Sequence, residues 1–181
     1  TRMFHGHLHN IINTTYNAAY LTPWFNHLGT LSGENYSGNI SYVTSRANFV
    51  LSQLPTQVPF VITTNGGTDF SVNQPTTTLT GNGWINVREI FIEGAALPLP
   101  VTWTDANSWQ ATLPLEPGPN AFKILAINHQ GEVVGNDAIT ITNVGTTSPA
   151  NASNIAISEI MYHPEDGHQE FIDLNNLGTT E

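Results

Sequence analysis

Two different spacings of hydrophobic residues divide the chain. Up to residue 55, apolar residues recur every three or four positions, as they do on one face of an α-helix. From residue 56 onward, short runs of β-branched and aromatic residues alternate with Gly, Pro and Asn. The pattern therefore predicts a helical segment over residues 1–55, followed by a domain built from β-strands.

The helical segment is expected to contain three short helices. The second helix should begin with Thr22 as N-cap and Pro23 in the first helical position, and it should end at Gly33. The third should stop before Pro55. The apolar face of the first helix comprises Phe4, Leu8, Ile11, Ile12 and Tyr16, and that of the third comprises Ile40, Val43, Ala47, Val50, Leu51 and Leu54. Three such helices make a thin core, so we expect them to pack on another part of a longer polypeptide.

The strand-like part predicts an antiparallel immunoglobulin-like β-sandwich over residues 56–143. Its runs are "PFVITT", "TTTLTG", "INVREIFIEG", "WQATLPL", "NAFKILAIN" and "DAITIT", with no helical pattern between them. The alternation slips by one residue between Val87 and Ile90, which indicates a β-bulge. Trp84, Trp103 and Trp109 are expected to fill the core or its edge.

A linker and a hairpin follow the sandwich. Residues 144–154 are small and polar, as in a linker, and residues 155–181 contain two strand-like runs joined through "EDGH". A lone hairpin is marginally stable in water. We therefore expect this segment to be mobile or to lean on the sandwich or on another molecule.

Composition narrows the possible partners. Only 10% of the residues are charged, the formal charge is −10, and the chain has four Lys and Arg residues and no Cys. Nucleic acid and anionic membranes need basic patches, so neither is an expected partner. No apolar run is long enough to span a bilayer. Polar, uncharged surfaces are common among exported bacterial proteins, which predicts an extracellular, cell-surface or periplasmic location.

Part of the helical segment resembles the last helices of the spore-coat CotH-type kinase family. The stretches are "NAAYLTPWFNHLGTL" and "RANFVLSQLP", and the second carries most of the resemblance through Arg46, Asn48, Phe49, Val50 and Leu51. The resemblance implies that residues 1–55 are the C-terminal remnant of a kinase-like domain. Phosphoryl transfer needs residues arranged around ATP and its metal, and the sequence contains no Gly-rich phosphate loop or catalytic-loop pattern. The fragment itself is therefore not expected to be an enzyme.

Two further stretches resemble immunoglobulin-like domains. "WQATLPLEPGPNAFKILAINHQGEVVG" is similar to the second half of bacterial immunoglobulin-like domains, although Asn128 stands where these often have Asp, so no calcium site is carried over. "ISEIMYHP" and "EFIDLNN" resemble the opening hairpin of a lamin-tail domain. That motif comprises Glu159, Ile160, Met161, Tyr162, Pro164, Glu170, Phe171, Ile172 and Leu174. Large secreted bacterial proteins combine these three domains in this order, which implies a fragment of such a protein.

Two groups of residues could bind metal. On a helix, His5 and His9 share a face, which is a known metal-binding spacing, but the glutamate of the zinc-protease signature is absent. We expect these histidines to lie on a solvated helix face. Carboxylates and histidines are also dense in the hairpin, at Glu159, His163, Glu165, Asp166, His168, Glu170 and Asp173. They lack the regular spacing of a calcium loop, so we expect a solvated turn and no cofactor.

The sequence therefore favours a non-catalytic structural, spacer or adhesion module, whose partners are the neighbouring domains of its parent protein. Three alternatives stay open. One is a carbohydrate- or surface-binding module that exposes Trp84, Trp103 or Trp109. Another is an accessory subunit that docks through its helices and adds an exposed strand to a partner's sheet. The third is an enzyme with a metal site built on His5 and His9.

Overall fold

The computed structural model describes residues 1–164, 166–167 and 169–178. Three helices come first: α1 (Arg2–Thr14), α2 (Ala18–Ser32) and α3 (Ser37–Ser52). Among the described residues, ten strands follow: β1 (Val61–Ile62), β2 (Phe70–Val72), β3 (Thr76–Asn82), β4 (Glu89–Ile92), β5 (Thr102–Trp103), β6 (Ser108–Pro114), β7 (Gly118–Ile127), β8 (Val133–Asn143), β9 (Ile155–Met161) and β10 (Phe171–Asn176). In the described part of the chain, no helix combines the length and the hydropathy that a bilayer span requires.

The strands form two four-stranded sheets and a separate hairpin. One sheet has the order β1-β3-β6-β5, the other has the order β2-β8-β7-β4, and β9 pairs with β10. The predicted fold is confirmed: a β-sandwich preceded by helices and followed by a hairpin. One pairing differs from the antiparallel prediction, because β2 runs parallel to β8, with Phe70 opposite Ile141. Side-chain alternation is the same in both strand directions, so the sequence pattern carries no information about this choice.

The chain divides into two compact units, which each have buried side chains. The first unit comprises residues 1–68, 78–111 and 122–139, and the second comprises residues 69–77, 112–121 and 140–181. Buried side chains in the sheets of the first unit are Ile62, Leu79, Ile90, Trp109, Ala111, Ile124, Ala126 and Ile139. In the second unit the buried side chains are Leu113, Ile141 and Asn143 in the strands and Leu115 directly after β6. In the second unit the buried Asn143 amide donates to the Leu115 carbonyl (3.2 Å) and accepts from the Gly145 amide (2.9 Å), so its polar atoms are paired.

The prediction for the start of α2 is wrong, whereas the prediction for its end is confirmed. Asn17 is the N-cap, because its side-chain oxygen accepts a hydrogen bond from the Tyr20 amide at 2.9 Å. Thr22 instead lies inside the helix and donates to the Ala18 carbonyl at 2.6 Å. Pro23 is therefore also inside the helix. Gly33 ends α2 in the left-handed conformation, with φ of 75°, which glycine adopts without strain.

The one-residue slip in "INVREIFIEG" is a turn, and the predicted bulge is wrong. The Val87 amide donates to the Trp84 carbonyl at 3.0 Å, and β4 begins only at Glu89. Ile85 and Val87 are nevertheless buried. Hydrophobic alternation therefore continued through a segment that does not belong to a strand. We call residues 83–87 the anchor turn, because the helical segment is attached there.

The predicted hairpin is confirmed as β9 and β10, with a register shift between Asp173 and Leu174. One face brings Ile160 opposite Ile172 and Ile157 opposite Leu174, whereas the other places Glu159 opposite Asp173. All four apolar side chains on the first face are more than half exposed. The hairpin therefore presents an apolar face to its surroundings. Glu165 and His168 lie outside the described residues.

Candidate functional site

The side chain of Arg2 fixes helix α1 to the anchor turn. One terminal nitrogen of its guanidinium group donates to the carbonyls of Gly83 (3.1 Å) and Ala106 (2.5 Å). The other terminal nitrogen donates to the carbonyls of Trp84 (2.7 Å) and Val87 (2.9 Å). Hydrogen bonds from a charged donor are stronger than bonds between neutral groups. Four of them on one side chain determine where the first turn of α1 lies.

The Arg2 guanidinium is also stacked on an aromatic ring. Its central carbon lies 3.2 Å from the centre of the Trp103 ring, a cation–π arrangement. Burial lowers the pKa of Arg2 to about 10, and the nearby carboxylate of Asp105 partly opposes this shift. Arg2 therefore remains charged at neutral pH.

Glycine at position 6 lets α1 approach the anchor turn closely. A Cβ atom at this position would lie 2.8 Å from the Ile85 carbonyl oxygen, closer than a Cβ atom can lie without a shift of the backbone. Around this contact, His9 meets the Trp84 ring edge-on at 4.7 Å between ring centres. One turn away, His7 meets His129 edge-on at 4.9 Å.

The anchor turn holds the end of the helical segment as well as its start. The indole nitrogen of Trp84 donates to the Pro55 carbonyl at 2.8 Å, in the stretch that connects α3 to β1. A further hydrogen bond joins the side chains of Gln130 and Asn10. The helical segment is therefore tied to the sandwich at both of its ends.

The expectation that the histidines lie on a solvated face is wrong for His9. The polar face of α1, with Arg2, Gly6 and His9, is the face that meets the anchor turn, whereas Phe4 and Ile11 of the predicted apolar face are 63% and 47% exposed. The reason is the chemistry of the contact surface. The anchor turn offers backbone carbonyls, which need donors, and a donor-bearing helix face satisfies them better than an apolar one.

The three predicted binding tryptophans do not form an exposed platform. Trp109 is 1% exposed, so it belongs to the core, and its assignment to a binding surface is wrong. Trp84 and Trp103 are half-buried under α1, through their contacts with His9 and Arg2. The physical reason is that burying a large aromatic ring against a neighbouring element is more favourable in free energy than leaving the ring exposed to water. The sequence pattern did not reveal the exposed aromatic residues, which include Tyr20, Trp24, Tyr42 and Phe49 on the helices.

The predicted metal-binding residues are held by other contacts or lie apart. His9 packs on Trp84, and the Nδ1 atom of His5 is buried without a hydrogen-bond partner. Among residues 1–164, 166–167 and 169–178, no three His, Asp or Glu side chains converge as a metal site would need. In the hairpin, Asp173 accepts a hydrogen bond from the Ser158 hydroxyl at 2.7 Å.

A cleft of about 690 Å³ opens between α1 and the sandwich loops of the same unit, and we call it the α1 cleft. Its apolar wall contains Ile85, Val87 and Trp103, and its polar rim contains His7, Arg88 and His129. Arg2 also lines it. Sequence reasoning did not find this cleft, because its members come from four separate stretches of the chain.

Burial and neighbouring positive charges act on two of the histidines here. Burial lowers the pKa of His9, and the charge of His129 lowers it further. Burial also lowers the pKa of His129, as do the charges of His7 and Arg88, while Glu89 opposes the shift. The docked helix therefore favours the neutral form of both rings.

The first prediction concerns Gly6. Replacing it by alanine (Gly6→Ala) should reduce the free energy of unfolding by about 1–3 kcal/mol, because the added methyl group pushes α1 away from the Ile85 carbonyl. Urea denaturation followed by tryptophan fluorescence measures the change. Gly38→Ala on α3 is the matched control: a Cβ atom there meets nothing within 4 Å. The control should leave the protein unchanged or stabilise it by up to about 1 kcal/mol. Equal effects of the two substitutions would contradict the close packing of α1.

The second prediction concerns pH. The folded-state pKa values of His9 and His129 lie below the ordinary value of 6.5, so the unfolded chain binds protons first as the pH falls. Their contribution to stability should be complete above about pH 6.5 and decline as the pH falls toward the folded-state values. The urea midpoint should therefore be lower at pH 5 than at pH 7.5. In the double variant His9→Gln/His129→Gln the fall should be smaller, and an unchanged fall would refute this assignment.

Comparisons with known proteins do not assign the chain to a family. No protein-family model matches the sequence, and no curated protein matches it. Among solved structures, the fibronectin(III)-like modules of Clostridium thermocellum CbhA are similar at 11% identity and a TM-score of 0.35, over 49% of this chain and 99% of that chain. A similarity at this level supports no conclusion about function. The resemblances to CotH-type kinases and lamin-tail domains therefore remain predictions.

Proposed function

We propose that this chain is a non-catalytic structural module of a larger exported bacterial protein, located outside the cell, at its surface or in the periplasm. In this proposal, the immunoglobulin-like sandwich is a spacer that carries the helical segment in a fixed position. The helical segment and the hairpin provide contacts to neighbouring domains. The observation that carries the proposal is the attachment of α1 by Arg2 to four carbonyls of the sandwich.

The attachment supports a spacer role because it makes a rigid joint. Domains joined only by a flexible linker move independently. Here the Arg2 side chain holds the start of the helical segment, and the Trp84 indole holds its end at Pro55. In a spacer with such a joint, the orientation of the helices determines the orientation of the strands to which they are attached.

The outer surface of the helices supports contact with a further domain. In residues 1–54, all of which the structure describes, the buried apolar side chains are Ile12, Val43 and Ala47. Four large residues of α2 lie three or four positions apart and are 45–72% exposed: Tyr20, Trp24, Leu28 and Leu31. Such a continuous apolar stripe usually marks a contact surface. It agrees with the proposal that residues 1–55 complete a kinase-like domain.

The hairpin supports contact with a further domain in the same way. Its apolar face, with Ile157, Ile160, Ile172 and Leu174, is exposed, and a two-stranded hairpin is marginally stable by itself. We propose that it opens a lamin-tail domain, whose remaining strands would cover this face.

An accessory subunit of a larger assembly is the second candidate. The same exposed stripe on α2 and the same hairpin face favour it, because they would serve a separate partner chain equally well. A carbohydrate-binding role for the three tryptophans has less support. Trp109 is in the core, and Trp84 and Trp103 are partly covered.

The third prediction tests the rigid joint. Arg2→Met should reduce the free energy of unfolding by about 3 kcal/mol, because four carbonyls lose a charged donor. Limited proteolysis should then cut the helical segment first and leave the sandwich as a resistant core. Arg46→Met is the matched control, because Arg46 is exposed on α3 beside Phe49, and it should change stability by less than about 0.5 kcal/mol. If the helical segment and sandwich of the Arg2 variant resisted proteolysis as well as the parent, the joint would not depend on Arg2.

The fourth prediction separates the two candidate functions. An antibody against residues 56–143 should detect a polypeptide far larger than 19.7 kDa in the cells that make this protein, and this polypeptide should appear in the secreted or surface fraction. A band near 19.7 kDa would contradict the spacer proposal and favour an accessory subunit.

A further inference from the structure

We propose that the α1 cleft binds a small organic anion: a carboxylate or phosphate group carried on a flat apolar body. The cleft volume of about 690 Å³ lies within the range of small-molecule sites, about 300–1,000 Å³. All of its lining residues belong to one compact unit. The proposal goes beyond the structural role, because a spacer needs no ligand.

Positively charged residues are concentrated at this cleft. The chain has a formal charge of −10, yet two of its four Lys and Arg residues, Arg2 and Arg88, line this one cleft. Arg2 directs both terminal nitrogens at carbonyls, so it contributes a fixed positive charge rather than a donor to a ligand. Arg88 is 54% exposed and lies 3.7 Å from Glu89, a distance typical of a weak surface pair. Its guanidinium is therefore available to an anion.

The two histidines of the rim lie close together, and this arrangement also favours an anion. His7 and His129 lie 4.9 Å apart between ring centres, and both line the cleft. The positive charges of His7 and Arg88 repel a proton on His129, and the carboxylate of Glu89 opposes this repulsion. An anion between them would relieve this repulsion, so binding of the anion and uptake of protons should favour each other.

The apolar wall defines the rest of the ligand. Ile85 and Val87 form one side, and the half-buried ring of Trp103 forms another. Inorganic phosphate would leave this wall uncovered, whereas a flat apolar body would bury it and gain the associated free energy. A ligand that combines a charged group, bound by Arg88, with a ring packed on the apolar wall would contact both parts of the cleft.

The fifth prediction is a titration of the 181-residue chain with benzoate, followed by NMR at constant ionic strength and pH 6. The backbone amide signals of Ile85, Arg88 and His129 should shift and saturate. Arg88→Gln should bind about tenfold more weakly, equivalent to about 1.4 kcal/mol. Raising the pH to 7.5 should weaken binding about fivefold, because uptake of a proton by His129 then supports binding less. Phenyl phosphate, titrated separately, identifies the preferred anionic group.

Three controls make the result decisive. Benzamide has the shape of benzoate without its charge and should produce no saturable shift in these residues. Arg46→Gln removes the same charge from α3 and should leave benzoate binding unchanged. Chloride should not reproduce the shifts. The proposal would be overturned if neither benzoate nor phenyl phosphate bound, if benzamide bound equally well, or if the two arginine variants weakened binding to the same extent.

Discussion

The contact between one arginine and one turn determines how the helical segment is arranged. A guanidinium taken out of water must be surrounded by acceptors, or its desolvation is costly. The Gly83, Trp84, Val87 and Ala106 carbonyls provide them, and the Trp103 ring covers one face of the group. The acceptors belong to the sandwich and the donor to α1, so the requirement of a single side chain joins two elements that are far apart in sequence.

The orientation of α1 follows from this contact and from Gly6. Once the polar face of the helix meets the carbonyls, Phe4 and Ile11 must point elsewhere, and they remain largely exposed. The helical segment therefore buries few of its apolar side chains and keeps a hydrophobic outer surface. This arrangement suits the proposed spacer role, because the inner contact is polar and specific while the outer contact can be hydrophobic and extensive.

The same contact gathers basic side chains of an acidic chain. Arg2 and Arg88 line one cleft, and His7 lies beside His129, although these pairs are 86 and 122 positions apart in the sequence. The resulting cleft combines a rim of basic side chains with an apolar wall. Structural support and ligand binding would thus use one joint, and occupancy of the cleft would add to the forces that hold α1 in place.

The sequence by itself determined the class of each element: three helices, short strands with Gly and Pro turns, and a final hairpin. These depend on local periodicity and on local conformational preferences, such as the positive φ of Gly33. The tertiary structure decided the parallel pairing of β2 with β8, the turn at Ile85, the burial of Trp109 and the inward polar face of α1. It also decided the position of the α1 cleft. These features depend on which residues distant in sequence come into contact. Every residue has a backbone carbonyl, so the sequence does not show which carbonyls will accept hydrogen bonds from a distant side chain.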